Sequence, residues 1–302
     1  MNTLFYSMLV FVAACSYGSL ATIMKLGMKE GYQVGELVAS QFIFGFLILV
    51  VLTLIFNRKK VAVKSIRQLL IGGVMLSGTS IFYNLAVREL PASISVLLIF
   101  QFTWIGILLE AIADRRFPSK EKVFAIAVLI VGTLFAGGLF EESLGSFSTA
   151  GIIYGLISAV TFASYIFISG RVGVDVPVFT KSLTMVGTAM LIVFMVFPPT
   201  FIGEGTIVGG LWKYGGALAL LGTIIPVVFF AVGVPKIGTG LGTILGAAEL
   251  PAAVVASVIV LQEQVSWLRW IGIIIILLGI MLPQLRFRSQ QPSRRKTVSS
   301  KV

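Results

Sequence analysis

The sequence predicts an all-α integral membrane protein of about ten transmembrane helices arranged as two five-helix inverted repeats. Composition is the first reason: 57% of the 302 residues are hydrophobic and 12% are charged, against about 25% charged in a soluble domain. The second is a series of apolar runs, each close to the roughly 20 residues that a hydrocarbon core of about 30 Å demands. The third is a likeness of pattern between the two halves of the chain.

Apolar runs bounded by charged or turn residues place the first five helices at 4–27, 34–56, 68–87, 91–113 and 120–140. The second five fall at 149–170, 177–198, 212–234, 239–261 and 267–285. The first run has no basic residue before Leu4 and no early small-residue cleavage pattern before Ser16-Tyr17-Gly18-Ser19, so it reads as a mature helix and not a signal peptide.

Loop charges agree with the count, because basic residues near helix ends collect on the cytoplasmic side. Arg58, Lys59, Lys60, Lys64 and Arg67 follow helix two, and Arg115, Arg116, Lys120 and Lys122 follow helix four. Arg171 and Lys181 follow helix six, Lys236 follows helix eight, and Arg286, Arg288, Arg294, Arg295, Lys296 and Lys301 follow helix ten. The other side holds Lys25, Lys29, Arg88, Lys213 and Arg269, with the acidic pair Glu141 and Glu142. This alternation needs an even number of spans and puts both termini in the cytoplasm of a multi-pass protein of the cell membrane.

Composition also excludes chemistry. The net charge of +11 lies between apolar runs and not as a stripe on soluble structure, which argues against nucleic acid. Histidine is absent and Cys15 is the lone cysteine, so intrachain disulfides, Cys/His zinc sites and histidine acid/base chemistry are excluded, and no metal or cofactor is expected. Cys15, inside an apolar run, reads as a packed residue. Neither Gly72-Gly73 nor the glycines at 238, 240 and 242 have the lysine or strand-to-helix context of a phosphate loop, so the driving energy comes from a solute or ion gradient or a partner chain.

The stretch from Tyr83 to Gly132 lies over Phe230 to Gly279 without a gap, and Ser16-Tyr17-Gly18-Ser19 lies over Thr161-Phe162-Ala163-Ser164. Five helices per unit is odd, so the second unit enters the membrane inverted, with a site expected at the interface near mid-membrane. The boundaries are 1–140 for the first repeat, 147–286 for the second and 287–302 for a basic tail. That tail has little to bury and is expected to be disordered, serving topology or anionic headgroups.

With this plan, the joint Leu85-Ala86-Val87-Arg88-Glu89-Leu90-Pro91-Ala92-Ser93 and the ending Leu261-Gln262-Glu263 before Trp270-Ile271-Gly272 resemble the drug/metabolite transporter superfamily in its EamA-domain branch, over about residues 5 to 285. The resemblance implies ten helices, alternating access around a cavity lined by helices one, three, four, six, eight and nine, and export of small solutes such as amino acids. One departure is visible: where the family often has proline midway along helix four, the chain reads Gln101-Phe102-Thr103-Trp104, while helix nine keeps Glu249-Leu250-Pro251.

Glu249 leads the candidate residues. An ionised carboxylate near the centre of a membrane helix costs at least about 2.5 kcal/mol even on insertion scales, so something must offset it. Gly242 and Gly246 on the same face let another backbone approach, and Pro251 frees a backbone carbonyl nearby. The functional reading is a substrate or proton site; the structural one is a carboxyl tying two helices together. Possible partners are Ser16 and Tyr17 on helix one, Gln41 on helix two, and Tyr83 and Asn84 with Ser77 and Ser80 on helix three. Gln101, Thr103 and Trp104 on helix four, and Thr161, Ser164 and Tyr165 on helix six, complete the set. Serine and threonine in such helices often bond their own backbone. Lys25 reads as snorkelling to headgroups or as attracting anions at the outer mouth, and Glu110 and Glu263 as interface residues.

The leading expectation is a secondary transporter of small metabolites, with membrane lipid around it and protons as one coupling ion. A membrane enzyme acting on lipid or a prenyl donor would want paired carboxylates with a metal, or His or Cys nucleophiles. A receptor or assembly partner would use small-residue faces such as Gly132-Thr133 and Gly137-Gly138, but gains nothing obvious from inverted duplication.

Overall fold

The computed structural model describes residues 3–56, 63–90, 92–138, 148–202 and 206–289, which are helical with no strand. Ten helices in the expected order are found among them, eight of them long and apolar enough to cross a membrane. In the first repeat they are α1 (Thr3–Lys29), α2 (Val34–Phe56), α3 (Val63–Glu89), α4 (Ile94–Asp114) and α5 (Lys120–Ala136). In the second they are α6 (Thr149–Arg171), α7 (Val178–Val196), α8 (Gly209–Ile237), α9 (Thr239–Leu261) and α10 (Trp267–Ser289). Leu54, Ile112, Met195 and Ile259 are among many large apolar side chains left on the outer surface, where lipid and not water is the solvent.

Helix ends follow local chemistry. Ser119 and Ser148 accept from the backbone N–H of Lys122 and Gly151 at the starts of α5 and α6, as N-caps do. α5 stops at Ala136 and not at 140, since Gly138 turns left-handed (φ 76°). α8 is longer than expected at both ends and runs past Pro235. Arg115 after α4 and Gln262 after α9 are the two described non-glycine residues at positive φ (51° and 54°). They are equivalent in the two repeats, so the duplicated joint is a duplicated backbone turn.

Packing repeats in the same way. α3 lies against α6 as α1 lies against α8, α3 against α7 as α2 against α8, and α4 against α6 as α1 against α9. The self-equivalent pairs α2·α7, α4·α9 and α5·α10 also touch, which places them on a pseudo-two-fold axis. Gly132 packs on Ile276 while Gly279 packs on Leu129, the same contact made twice. With five helices per repeat, the axis lies in the membrane plane.

Two ion pairs join the repeats at opposite faces. Lys25, near the end of α1, meets Glu263 after α9 at 2.8 Å; Arg171, at the end of α6, meets Asp114 at the end of α4 at 2.7 Å. Glu263 is thus satisfied by Lys25, and Glu110 by an ion pair with Lys122. Lys181, expected among loop charges, is instead buried inside the bundle, its Nζ donating to Ser169 O at 2.7 Å. Arg58, Lys59, Lys60, Glu141, Glu142 and all but the first three residues of the tail lie outside the described residues.

Candidate functional site

Both central helices break at equivalent points. In α9 the N–H groups of Ala247 and Ala248 reach back only three residues, to Ile244 O (3.2 Å) and Leu245 O (3.1 Å). In α4 Gln101 and Thr103 do the same, to Leu98 O and Phe100 O, both at 3.2 Å. Proline is therefore not what breaks the first copy. There, Gln101 Nε2 donates to Leu97 O (2.9 Å) and Thr103 Oγ1 to Phe100 O (3.0 Å), and these side chains serve carbonyls that lipid cannot.

Glu249 opens the second segment of α9, directly after the break. Its side chain is half-buried. Tyr17 of α1 and Tyr83 of α3 share this half-buried condition, and both lie within electrostatic reach of the Glu249 carboxyl. Gly18 brings α1 onto α9: a Cβ there would run into Glu249 O and lie 2.8 Å from Ala253 N. The glycine thus sets Tyr17 beside the acid. Gly246 similarly admits Phe102 of the first repeat.

Aromatic rings surround this point. Tyr17 meets Phe162 edge-on at 5.8 Å and Phe230 at 6.2 Å; Tyr165 stacks on Phe162 at 6.3 Å and meets Phe230 edge-on at 6.4 Å. The four rings form a closed circuit joining α1, α6 and α8. Tyr165 is wholly buried and its hydroxyl has no hydrogen-bond partner among the described residues. Phe162 and Phe230 escaped the sequence reading, although the repeat itself equates Phe162 with Tyr17 and Phe230 with Tyr83. The repeat also equates Glu249 with Phe102, which packs on Phe162 at 4.7 Å. The architecture is two-fold and the chemistry is not: acid and phenol occupy one copy of the contact, two phenylalanines the other.

The remaining candidates are engaged elsewhere. Ser16 Oγ donates to Leu221 O at 2.6 Å, and Gln41 Nε2 to Gly222 O (3.3 Å) and Thr223 Oγ1 (3.2 Å). All three acceptors fall in a π-helical bulge of α8, Leu220–Ile224, whose disturbed hydrogen bonding these side chains stabilise. Asn84 Nδ2 donates to Ser80 O (2.8 Å), and Trp104 Nε1 to Gln101 Oε1 (2.8 Å) from a side chain 37% exposed. Thr161 Oγ1 donates within its own helix and accepts from Thr79 Oγ1 at 3.2 Å, tying α3 to α6. Cys15 lines a separate apolar groove of about 380 Å³ between α1, α9 and α10.

A model of the EamA-like transporter family matches residues 4–138 and again residues 149–283. The chain belongs to this family. As an EamA-like protein it is a multi-pass membrane protein of a transporter family. A solved structure described as "Crystal structure of protein" is 19% identical, with a TM-score of 0.77 over 96% of this chain and 100% of the other; at that identity the likeness concerns the fold. Among curated proteins none matches the sequence.

Proposed function

We propose that this EamA-like chain is a secondary transporter that exports a small amine-bearing metabolite, amino acids being the class the family resemblance suggests, by alternating access and in exchange for protons. The observation that carries the reading is one carboxyl, Glu249, enclosed with two phenols where the repeats meet and directly after a helix break. Such a group can hold a proton or a cation, and ionisable residues inside membranes are functional by default. Reconstitution in liposomes with a labelled amino-acid and metabolite panel, with and without a pH gradient, tests it. Gradient-dependent movement supports the reading; a folded chain that binds solutes but moves none favours a receptor.

The basic loops support an orientation with both termini in the cytoplasm; in that orientation Lys25–Glu263 closes the outer face and Arg171–Asp114 the inner one. Each pair is partly exposed, and ion pairs so screened by solvent are weak enough for either to open in turn. Glu263→Lys is expected to raise outward opening by up to about five-fold, read as the rate at which an impermeant thiol reagent reaches a cysteine in the cavity. Lys25→Glu combined with Glu263→Lys restores it. The hydrogen bond from Lys25 holds the Glu263 carboxyl below its ordinary range, against the opposing effect of burial. The pair is therefore intact at neutral pH and is lost as pH falls through that depressed value, so acid outside should mimic Glu263→Lys.

A further inference from the structure

Lys181 is the one wholly buried cation among the described residues, and the other repeat does without it. The first backbone hydrogen bonds of α2 and α7, Leu37 N to Gln33 O and Lys181 N to Pro177 O, equate it with Leu37, which is also wholly buried. A leucine fills the same place in the other copy, so packing alone does not call for a lysine. Its Nζ donates to Ser169 O at 2.7 Å, in the last turn of α6, where a helix leaves carbonyls without an intrahelical partner. That is one bond for a group that, as an ammonium, has three N–H donors.

Among the described residues no charge offsets it. The helix ends around it carry Arg67 on α3, Arg171 on α6, Asp175 in the turn before α7 and Lys236 on α8, all exposed. Arg171 is paired with Asp114, and Glu110, beside the start of α9, with Lys122. At this end α2 brings Phe56, against Phe179; inside the bundle α6 carries Tyr165, one turn before Ser169, and α9 carries Glu249, ten residues after Thr239. None of these has an electrostatic interaction with Lys181. The junction is also tight. A Cβ at Gly170 would lie 2.7 Å from Val234 Cγ1 and 3.2 Å from Thr239 Oγ1, and Ser169 Oγ and Thr239 Oγ1 are buried without a partner among the described residues. An ammonium would stand here with two N–H groups unpaired and no anion, which costs far more than a neutral amine.

We propose that Lys181 is a pH switch for the face that carries Arg171–Asp114: a neutral amine while that face is closed, an ammonium once it opens and water reaches Nζ. The switch rests on the transporter reading, in which this face opens. Ser169 stands two residues before Arg171, so parting Arg171 from Asp114 loosens the turn of α6 that Lys181 caps. The proton enters and leaves on one face, so Lys181 sets when that face opens and adds nothing to the coupling assigned to Glu249. The open state binds one more proton, so falling pH favours it by at most about ten-fold per unit.

The test uses the full-length protein in lipid nanodiscs, which expose both faces. Ser169→Cys in a Cys15→Ala background puts a thiol beside Lys181, and its labelling by an impermeant maleimide is followed from about pH 9 to about pH 6. Each rate is divided by that of the same chain unfolded in detergent at the same pH, which removes the titration of the thiol itself. The relative rate is expected to climb as pH falls, by up to about ten-fold per unit, and to be low and flat once Lys181→Met is added. Lys181→Arg, charged at every pH, is expected to label fast throughout. A relative rate that ignores pH, or that keeps its slope in Lys181→Met, would overturn the switch and leave Lys181 a cap on α6. The first series needs neither lysine variant, so a variant that fails to fold leaves the test standing. Transport is scored separately in proteoliposomes: pH-dependent labelling of a chain that moves no solute keeps the switch and removes the transporter, whereas solute movement with flat labelling removes the switch alone.

Discussion

Glu249→Gln is expected to lower substrate flux in proteoliposomes by about ten- to a hundred-fold and to leave the residual flux indifferent to a pH gradient. Hydrogen bonds to a charged group contribute about 1.5–3 kcal/mol, and each 1.4 kcal/mol is a factor of ten. Glutamine keeps the shape of the side chain, its place after the α9 break and its neighbours Tyr17 and Tyr83, so the substitution removes the charge and the titration with little else. Wild-type flux with the gradient response intact would make Glu249 a helix tie and not the coupling group.

Gly18→Ala is expected to lower the melting temperature and abolish transport together. The added carbon would run into Glu249 O and lie 2.8 Å from both Ala252 Cβ and Ala253 N. Backbone atoms cannot rotate out of the way, and overpacking typically costs about 1–3 kcal/mol. Any relief must come from moving α1 off α9, which separates Tyr17 from Glu249. Gly216→Ala in α8 is the control. Nothing lies within 4 Å of its added carbon, and replacing a helical glycine by alanine is favourable by roughly 0.5–1 kcal/mol, so its melting temperature should hold or rise. Equal losses from both variants would refute the close-contact argument.

Much of this architecture is legible in the sequence, because lipid demands long apolar runs and inverted duplication imposes its own register. The span limits of α2 and α9 and the equivalence of the joints at Arg115 and Gln262 follow from those demands alone. What is illegible depends on long-range packing. No local pattern marks the π-bulge of α8, and so none shows that Ser16 and Gln41 are committed to its carbonyls and not to a solute. The break in α4 occurs without proline, supported by Gln101 and Thr103, which looked like solute ligands because the same polarity serves either end. Glu249 is visible as a cost that needs an explanation, and Tyr17 as one of its possible partners. Phe162 and Phe230 were not, since a phenylalanine in a membrane helix is unremarkable until its partners are known, although the repeat already placed them opposite tyrosines.

The central claim is that the space beside Glu249 opens to each side of the membrane in turn. It is tested most directly by placing a cysteine at Tyr83 in a Cys15→Ala background and adding an impermeant thiol reagent to one face of sealed proteoliposomes at a time. Labelling from either face, slowed from both by a bound amine, is the predicted result. Labelling from one face only, or from neither, would contradict alternating access.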